Sequence, residues 1–408
     1  MLPRAFTFSL VGPHKLRDRT LGCETIGDPV ERLLAELRDR TPQMIDALRA
    51  LVETESPTAD PGACAACADV ADELASSLVG ARAERHEVDG RVHLRWRFGR
   101  GDRVLLIGHL DTVWPLGTAA SWPFAVDDET ATGPGVFDMK AGVVQLFFAL
   151  NALEELDGVV VLLTTDEEIG APTSRELIVD AARAVEAALV LEPSAGGALK
   201  TERKGVATYR LDVEGRAAHA GLDPESGVNA AVELVHQLLA VVELADPARG
   251  TTVNPGLVSA GTAVNTVPAE ATAQIDVRTR TRAESNRIDA AFNALRPVTA
   301  GAAVTVERVG GVPPLERSSS AALFKRAEEL ADRLGLPALT EAAVGGGSDG
   351  NLIADCGVPI LDGLGAVGDH AHGRGEYVRI GAMAERAALV AALVQDLLVA
   401  GTEATASD

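Results

Sequence analysis

Runs of apolar residues along the chain predict buried strands that alternate with helices. Continuous apolar stretches rich in β-branched residues are typical of strands buried on both faces, and they lie at 103–111 (RVLLIGHLD), 159–168 (VVVLLTTDEE), 188–193 (ALVLEP) and 358–366 (VPILDGLGA). Apolar residues at helical spacing predict helices at 41–52, 139–153, 175–188, 319–335 and 382–399. Thr41 is the expected cap of the first of these helices, with Pro42 at its first position. The alternation predicts an α/β fold with an open, mostly parallel sheet and helices on both faces.

The interval between 205 and 312 has a different pattern. The stretches ATYRLDVEG (207–215) and AQIDVRTRT (273–281) alternate apolar and polar residues, which is typical of half-exposed antiparallel strands. Amphipathic helices are expected at 227–244 and 285–298. We therefore expect an inserted α+β domain of the ferredoxin-like type, a four-stranded sheet with two helices on one face.

These patterns divide the chain into five predicted segments. They are a flexible N-terminal extension (1–30), a first part of the α/β domain (31–204), the inserted domain (205–312), a second part of the α/β domain (313–400) and a frayed tail (401–408).

Charge and cysteine content narrow the possible partners and the compartment. Lys and Arg total 37 against 59 Asp and Glu, and the resulting net charge of -22 repels nucleic acid and anionic lipid. No apolar run approaches the ~20 residues of a membrane span, and the N-terminus lacks the apolar core of an export signal. Cys64 and Cys67 form a CxxC without a second ligand pair nearby, so we expect both to be small buried residues near a helix start. Together these features favour a protein of the reducing cytoplasm.

Acidic residues and histidines follow the predicted strands. Since ligands of open α/β sheets bind beyond the carboxyl ends of the strands, these side chains are expected in one crevice; they are His109, Asp111, Glu167, Glu168, Glu192, His370 and His372, with Asp138 added from the loop GPGVFDMK. Two like charges ~4 Å apart repel by about 4 kcal/mol at an effective dielectric near 20. A cation would offset that repulsion, and mixed nitrogen and oxygen ligands suit zinc or a similar divalent ion. Alternatively, the adjacent Glu167 and Glu168 could cap the next helix, because negative charge is favourable at its positive end.

The motifs as a set resemble the M20 family of metallopeptidases. They are GHLDTVWP (108–115), GPGVFDMKAG (133–142), TTDEEIGAPTSRELI (164–178), LEPS (191–194), GRAAHAG (215–221), GGGSDG (345–350) and HAHGRGEYV (370–378). That family includes glutamate carboxypeptidases and acetylornithine deacetylases, and the carboxypeptidase branch is the more similar. The resemblance covers nearly the whole chain after residue 30.

The resemblance implies a site for two Zn²⁺ ions, for which Co²⁺ or Mn²⁺ are possible substitutes. Asp138 would bridge the ions, with His109 and Glu192 completing one ligand set and Glu168 and His372 the other. His372 is preferred to His370 because Ala371-His372, followed four residues later by Glu-Tyr-Val, fits the family pattern. Asp111 would orient the ring of His109. Glu167 would act as general base, taking a proton from water during attack on an amide carbonyl.

The resemblance also implies how substrate is held. His219 would stabilise the oxyanion across a homodimer formed through the inserted domain, which would serve as lid and dimerisation domain. Arg278 would bind the substrate carboxylate, Asn265 the scissile carbonyl, and the loop Gly346-Gly347-Ser348 would add further donors. The substrate would be a small peptide or an N-acyl amino acid. Preference for C-terminal glutamate is open, because GGVPPLE (310–316) stands where a side-chain-binding arginine is expected and Arg308 is only an approximate substitute.

Three other functions remain to be weighed. An N-acyl-amino-acid deacylase of the same family would break the same bond and differ only in the group that the pocket admits. The stretch GGSDG (346–350) also satisfies the G-x-S-x-G pattern of serine hydrolases, with Ser348 as nucleophile and Asp362 and a histidine following. A non-catalytic binding homologue is the third, although such a protein is expected to lose ligands or the base.

Overall fold

The computed structural model describes residues 29–405, and side chains from 32 to 400. The extension expected at 1–30 lies outside the described residues except for its last two, and so does the end of the tail, 406–408. The chain forms two compact units, of which the second contains 202–316 and 343–347 and the first contains the other described residues.

A six-stranded sheet is the centre of the first unit. Its strands, in spatial order, are Glu84–Val88, Arg91–Arg97, Val159–Thr164, Val104–His109, Ala187–Val190 and Ile360–Leu361. The last four run parallel to one another, and Arg91–Arg97 joins them antiparallel. This confirms the mostly parallel sheet, although the strand expected at 358–366 is only two residues long.

Both faces of this sheet are covered. Every residue of the three central parallel strands is buried, and successive side chains of a strand point to opposite faces. On one face the helix Ala141–Asn151 packs against helices Thr41–Glu53, Pro61–Val79 and Ile380–Thr405. The other helices of this unit are Pro29–Asp39, Thr118–Ser121, Arg175–Arg183, Arg317–Arg333 and Asp349–Asp355.

Short strands complete the first unit. Ala125–Val126, Thr130–Thr132, Tyr377–Arg379 and Gly368–Asp369 form a small antiparallel sheet. Two further strands, Leu199–Arg203 and Glu341–Val344, include residues of both units.

Three local expectations can be compared with the structure. Thr41 is not the cap of its helix, because the preceding helix ends at Asp39 and Arg40 alone separates the two, taking the N-cap position without a side-chain bond. The final helix continues to Thr405, past the expected end at 399. Cys64 and Cys67 are fully buried in the first turns of the helix Pro61–Val79, which confirms their interpretation as packed residues.

The second unit has the βαββαβ order of a ferredoxin-like fold. Its antiparallel strands, in spatial order, are Thr252–Ala260, Glu270–Thr279, Gly205–Glu214 and Ala303–Val312. Helices Ala230–Val242 and Arg282–Asn293 pack on one face, where the rings of Tyr209 and Phe292 stack 3.9 Å apart. This is the arrangement expected from the alternating pattern.

The boundaries of this unit differ somewhat from 205–312. Residues 343–347 join it because the amide of Lys204 donates to the carbonyl of Val344, while Arg203 donates to the carbonyls of Gly346 and Gly347. The short strands Ala218–His219 and Thr266–Val267 also pair within it.

Among the described helices, none combines the length and the hydrophobicity that crossing a membrane requires.

Candidate metal centre

The candidate metal ligands lie where the strand order of the main sheet changes direction. After the strand Val104–His109 the chain adds Val159–Thr164 on one side and Ala187–Val190 on the other. Such a switch point opens a crevice at the carboxyl ends of the strands. His109 ends the first of these strands, and Glu167 and Glu192 follow the other two within three residues.

The first group of potential ligands consists of His109, Asp138 and Glu192. Nε2 of His109 lies 3.2 Å from Oδ1 of Asp138 and 3.4 Å from Oε1 of Glu192. Nδ1 of His109 donates to the carbonyl of Asp111 at 2.9 Å, so in the neutral ring Nε2 carries a lone pair towards the two carboxylates. This is the tautomer that a metal ligand needs.

The second group consists of Asp138, Glu168 and His372. Nε2 of His372 lies 3.1 Å from Oε2 of Glu168 and 3.4 Å from Oδ2 of Asp138. The two oxygens of Asp138 therefore face one group each, as a bridging ligand requires. His370 belongs to neither group and is exposed.

Asp111 holds the turn that carries the two glutamates. Its carboxylate accepts the hydroxyl of Thr58 at 2.8 Å and the amides of Glu167 and Glu168 at 3.3 and 3.2 Å. Burial opposes ionisation of this group, but the bonds from His109 and Thr58 outweigh it and lower the pKa of Asp111. Asp111 thus fixes both the ring of His109 and the adjacent glutamates.

Glu376 holds the loop that carries Asp138, a role that the sequence did not reveal. Its buried carboxylate accepts the amides of Gly135, Phe137 and Asp138 at 2.8 to 3.0 Å and the indole N–H of Trp114 at 3.0 Å. Burial raises the pKa of Glu376, although these hydrogen bonds act to lower it. The only available signal was its place in HAHGRGEYV.

Glu167 lies beside both groups without belonging to either. Its Oε2 is 4.0 Å from Nε2 of His109. Burial, and then the negative charges of Glu192 and Asp349, raise the pKa of Glu167 well above its usual range, against the opposing effect of His109. Glu167 is therefore a carboxylate beside the candidate ligands that neither group uses.

Asp349 is a second residue that the sequence did not single out. It is buried in the first turn of the helix Asp349–Asp355 and accepts the hydroxyl of Thr164 at 3.2 Å. Burial, followed by the charges of Asp166, Asp111 and Glu192, raises the pKa of Asp349 to about 7.

The chemistry of this donor set fits a divalent cation. The hydrogen bonds that His372 donates to Asp138 and Glu168 raise its pKa to about 10. Burial opposes protonation of His109, but the bonds to Asp111, Asp138 and Glu192 outweigh it and raise the pKa of His109 well above its usual value. The same negative potential that holds these protons would hold a metal, which displaces them on binding. Oε1 of Glu168 is buried without a hydrogen-bond partner among the described residues. It is therefore available as a ligand oxygen.

The remaining site candidates, except Ser348, belong to the second unit, where only their local surroundings are defined. His219 is exposed, and its Nδ1 accepts the amides of Gly221 and Leu222 at 3.2 and 3.1 Å, which leaves Nε2 as the donor in the neutral ring. The carbonyl of Asn265 accepts the amide of Ala220 at 2.9 Å, so His219 and Asn265 lie on neighbouring segments.

Two arginines and two glycines of that unit have local partners. Arg278 donates to Asp276 at 2.9 and 3.2 Å, and Arg308 pairs with Asp289 at 3.2 Å. The carbonyls of Gly346 and Gly347 accept from Arg203, as described above.

Ser348 is a helix cap, and no histidine among the described residues is hydrogen-bonded to it. Its buried Oγ donates to Oδ2 of Asp362 at 3.0 Å and accepts the amide of Gly350 at 3.1 Å. Neither partner is a histidine that could take its proton. The surroundings of Ser348 therefore do not support a serine hydrolase.

The sequence of this chain is similar to those of known peptidases and related hydrolases. The sequence profile of Peptidase family M20/M25/M40 matches residues 105–396. Carboxypeptidase G2 of Pseudomonas sp. (strain RS-16) is 31% identical over 88% of this chain and 90% of that protein. Succinyl-diaminopimelate desuccinylase of Wolinella succinogenes is 28% identical over 83% and 95%.

Solved structures show the same fold. The M20 family metallo-carboxypeptidase Sso-CP2 from Sulfolobus solfataricus superimposes with a TM-score of 0.65 at 15% identity, over 87% of this chain and 98% of that one. A tripeptidase from Staphylococcus aureus superimposes with a TM-score of 0.66 at 21% identity, over 88% and 98%.

Proposed function

Because the chain belongs to peptidase family M20/M25/M40, we propose that it is a di-zinc hydrolase that cleaves an amide bond next to a free carboxylate. That it is a hydrolase of the metallocarboxypeptidase and amidohydrolase type follows from the family; the metal, its stoichiometry and the substrate are the proposal. The observation that carries it is that Asp138 joins two three-residue ligand groups, with Glu167 beside them.

In the proposed mechanism each residue has one task. Asp138 would bridge the ions, His109 and Glu192 would hold one, and Glu168 and His372 the other. When bound, the ions would lower the pKa of water and polarise the amide carbonyl. Glu167 takes the proton of the attacking water and delivers it to the leaving amine.

The oxyanion that forms during attack requires a hydrogen-bond donor. We assign this task to Nε2 of His219, because the bonds from Gly221 and Leu222 to Nδ1 leave its other nitrogen protonated. Asp111 keeps His109 and Glu167 in place through the bonds described above.

The proposed substrate is a small peptide or an N-acyl amino acid. Arg278 and Asn265 would contact its carboxylate and its scissile carbonyl, and donors of the loop 346–348 would assist. Arg278 would exchange the half-exposed Asp276 for the substrate carboxylate. The names of the relatives, a carboxypeptidase and a desuccinylase, support both a carboxypeptidase and an N-acyl-amino-acid deacylase.

We also propose that the chain acts as a homodimer through its second unit. Val232, Val235, Leu239 and Val242 form an exposed apolar stripe on the helix Ala230–Val242, with Leu239 63% exposed. Beside this helix the edge strand Thr252–Ala260 also exposes apolar side chains. An apolar stripe next to an open sheet edge supports pairing with a second copy.

A cytoplasmic location remains part of the proposal. The buried cysteines Cys64 and Cys67 carry free thiols, which is compatible with a reducing compartment.

A matched substrate screen tests the proposed reaction. N-acyl amino acids and dipeptides with varied C-terminal residues are assayed with Zn²⁺, Co²⁺ or Mn²⁺. Each compound is compared with its own C-terminal amide, which lacks the free carboxylate. We expect hydrolysis of some free acids and at least a hundredfold lower kcat/KM for the matching amides. Equal hydrolysis of acids and amides would exclude recognition of a free carboxylate, and no hydrolysis of any member would contradict the substrate class.

A further inference from the structure

A large cavity lies in the first unit, and none of the proposed metal ligands lines it. Its volume is about 890 Å³, within the range of small-molecule sites. Its walls come from separate parts of the unit, which are 128–130, 196–197, 336–340, Val367 and residues between 377 and 389.

Arg386 is the notable polar residue of this cavity. Only 6% of it is exposed, and it stands on the long helix Ile380–Thr405. Its Nη2 donates to the carbonyl of Gly197, whereas its buried Nη1 has no hydrogen-bond partner among the described residues. The neighbouring carboxylate of Glu385 is paired with Arg38 at 2.9 Å.

Arg386 is therefore a buried cation that feels the negative charge of Glu385 but has no carboxylate hydrogen-bonded to it among the described residues. Burial lowers the pKa of Arg386 to about 10, so the guanidinium is still charged at neutral pH. A buried charge is unfavourable unless an opposite charge and hydrogen bonds compensate it. A planar carboxylate is the group that a guanidinium fork binds best.

The other lining residues restrict what such an anion can be. Leu336 and Leu339, both partly exposed, offer apolar surface for a hydrocarbon body. The carboxylates of Asp128, Glu129 and Glu385 also line the cavity, and their negative charge opposes a dianion such as phosphate more strongly than a monoanion. The combination favours a single carboxylate attached to an apolar group.

We propose that this cavity binds a small monocarboxylate with an apolar body, held through its carboxylate by Arg386. The site is independent of the reaction proposed above. It shares a chain segment with the metal centre, because Gly196 and Gly197 follow Glu192 within five residues.

Calorimetric titration of the metal-loaded full chain tests this proposal. The probes are hexanoate, its neutral counterpart hexanamide, and inorganic phosphate. We expect hexanoate to bind at least tenfold more tightly than hexanamide or phosphate. The substitution Arg386→Met should lower the affinity for hexanoate at least tenfold, because the hydrogen bond to a charged partner is lost. Arg379→Met, a change at an exposed arginine that lines the same cavity, should alter the affinity by less than about threefold.

The Arg386→Met variant distinguishes binding of hexanoate in this cavity from binding of its carboxylate at the proposed metal centre. Hexanoate bound to the metals would bind equally well to Arg386→Met, and that result would overturn the proposal, as would the absence of binding to the unmodified chain. Thermal unfolding provides a second readout, because hexanoate should raise the Tm of the unmodified chain but not that of the variant. If Arg386→Met does not fold, Arg386→Gln, which can still donate to Gly197, is expected to show the same loss.

Discussion

At the scale of single residues, the candidate site depends on where neighbouring carboxylates point. Glu167 and Glu168 are adjacent in sequence, yet only Glu168 reaches His372, while Glu167 lies beside His109. The amide bonds to Asp111 fix this division of the pair.

Glu167→Gln tests the division directly. Glutamine has nearly the same shape but cannot take a proton, so we expect turnover to fall by at least a hundredfold while metal content is unchanged. Elemental analysis and steady-state kinetics on the same preparation check both. Asp128→Asn, an exposed carboxylate outside both ligand groups, is the control and should leave kcat unchanged. A normal rate in Glu167→Gln would show that another group is the base.

The sequence motifs identified the candidate metal ligands, but they did not identify the residues that hold those ligands in place. His109, Asp138 and Glu192 can be identified as candidate ligands from the sequence because each follows a strand or lies in a motif that resembles the M20 family. Glu376 acts on amides 238 to 241 residues away, and no periodicity or local spacing records such contacts.

At the scale of elements, the loop 135–138 depends on a single carboxylate. Glu376 satisfies three of its backbone amides, and a side chain with fewer acceptor positions would leave some of them unpaired.

Glu376→Gln should therefore weaken metal binding without abolishing the fold. The loss of a supporting group of this kind typically lowers metal affinity about 10- to 100-fold. Competition with a chelator of known affinity measures the change. Asp127→Asn, which alters another carboxylate that accepts backbone amides of a turn, is a matched control. Equal metal affinity in Glu376→Gln and the unmodified chain would contradict the role assigned to Glu376.

A buried glutamate on one helix of the second unit binds the loop that follows the other helix. Glu233 accepts the amides of Val298 and Thr299 and the side chain of Gln237, and these bonds lower its pKa to about 2 although burial opposes the shift.

The stability contributed by Glu233 should depend on pH with a defined sign. Since its folded pKa lies below the unfolded value near 4.5, the contribution is present above that value and is lost as pH falls towards 2. Chemical unfolding of Glu233→Gln and the unmodified chain should differ by about 2 kcal/mol at neutral pH, and the difference should shrink towards about pH 3. A difference that does not change with pH would show that ionisation of Glu233 is not responsible.

Boundaries of elements were harder to predict than their type. Arg40 replaced Thr41 as helix cap because a preceding helix leaves only one connecting residue, and that helix begins in a segment expected to be an extension. The strand at 358–366 was shortened because its apolar run includes residues buried outside the ladder.

At the scale of the whole molecule, the division into two units was visible in the change from continuous to alternating hydrophobicity. The attachment of 343–347 to the second unit was not, because it depends on contacts of Arg203 and Lys204 about 140 residues earlier in the chain.

The homodimer proposal leads to a test on the apolar stripe. Leu239→Glu places a charge at its most exposed member and should convert a dimer of 42.4-kDa chains into monomers. Light scattering after size exclusion measures the mass. Ala240→Glu, one residue further and about 100° around the helix, should leave the dimer intact. A monomeric unmodified chain, or a dimeric Leu239→Glu variant, would contradict the proposed interface.

The most direct measurement for the account as a whole is the metal content of active protein before and after chelation. Two ligand groups that share Asp138 predict two divalent ions per chain, loss of amide hydrolysis when they are removed, and recovery when Zn²⁺ is restored. Active protein that contains no transition metal, with a rate unaffected by strong chelators, would contradict it.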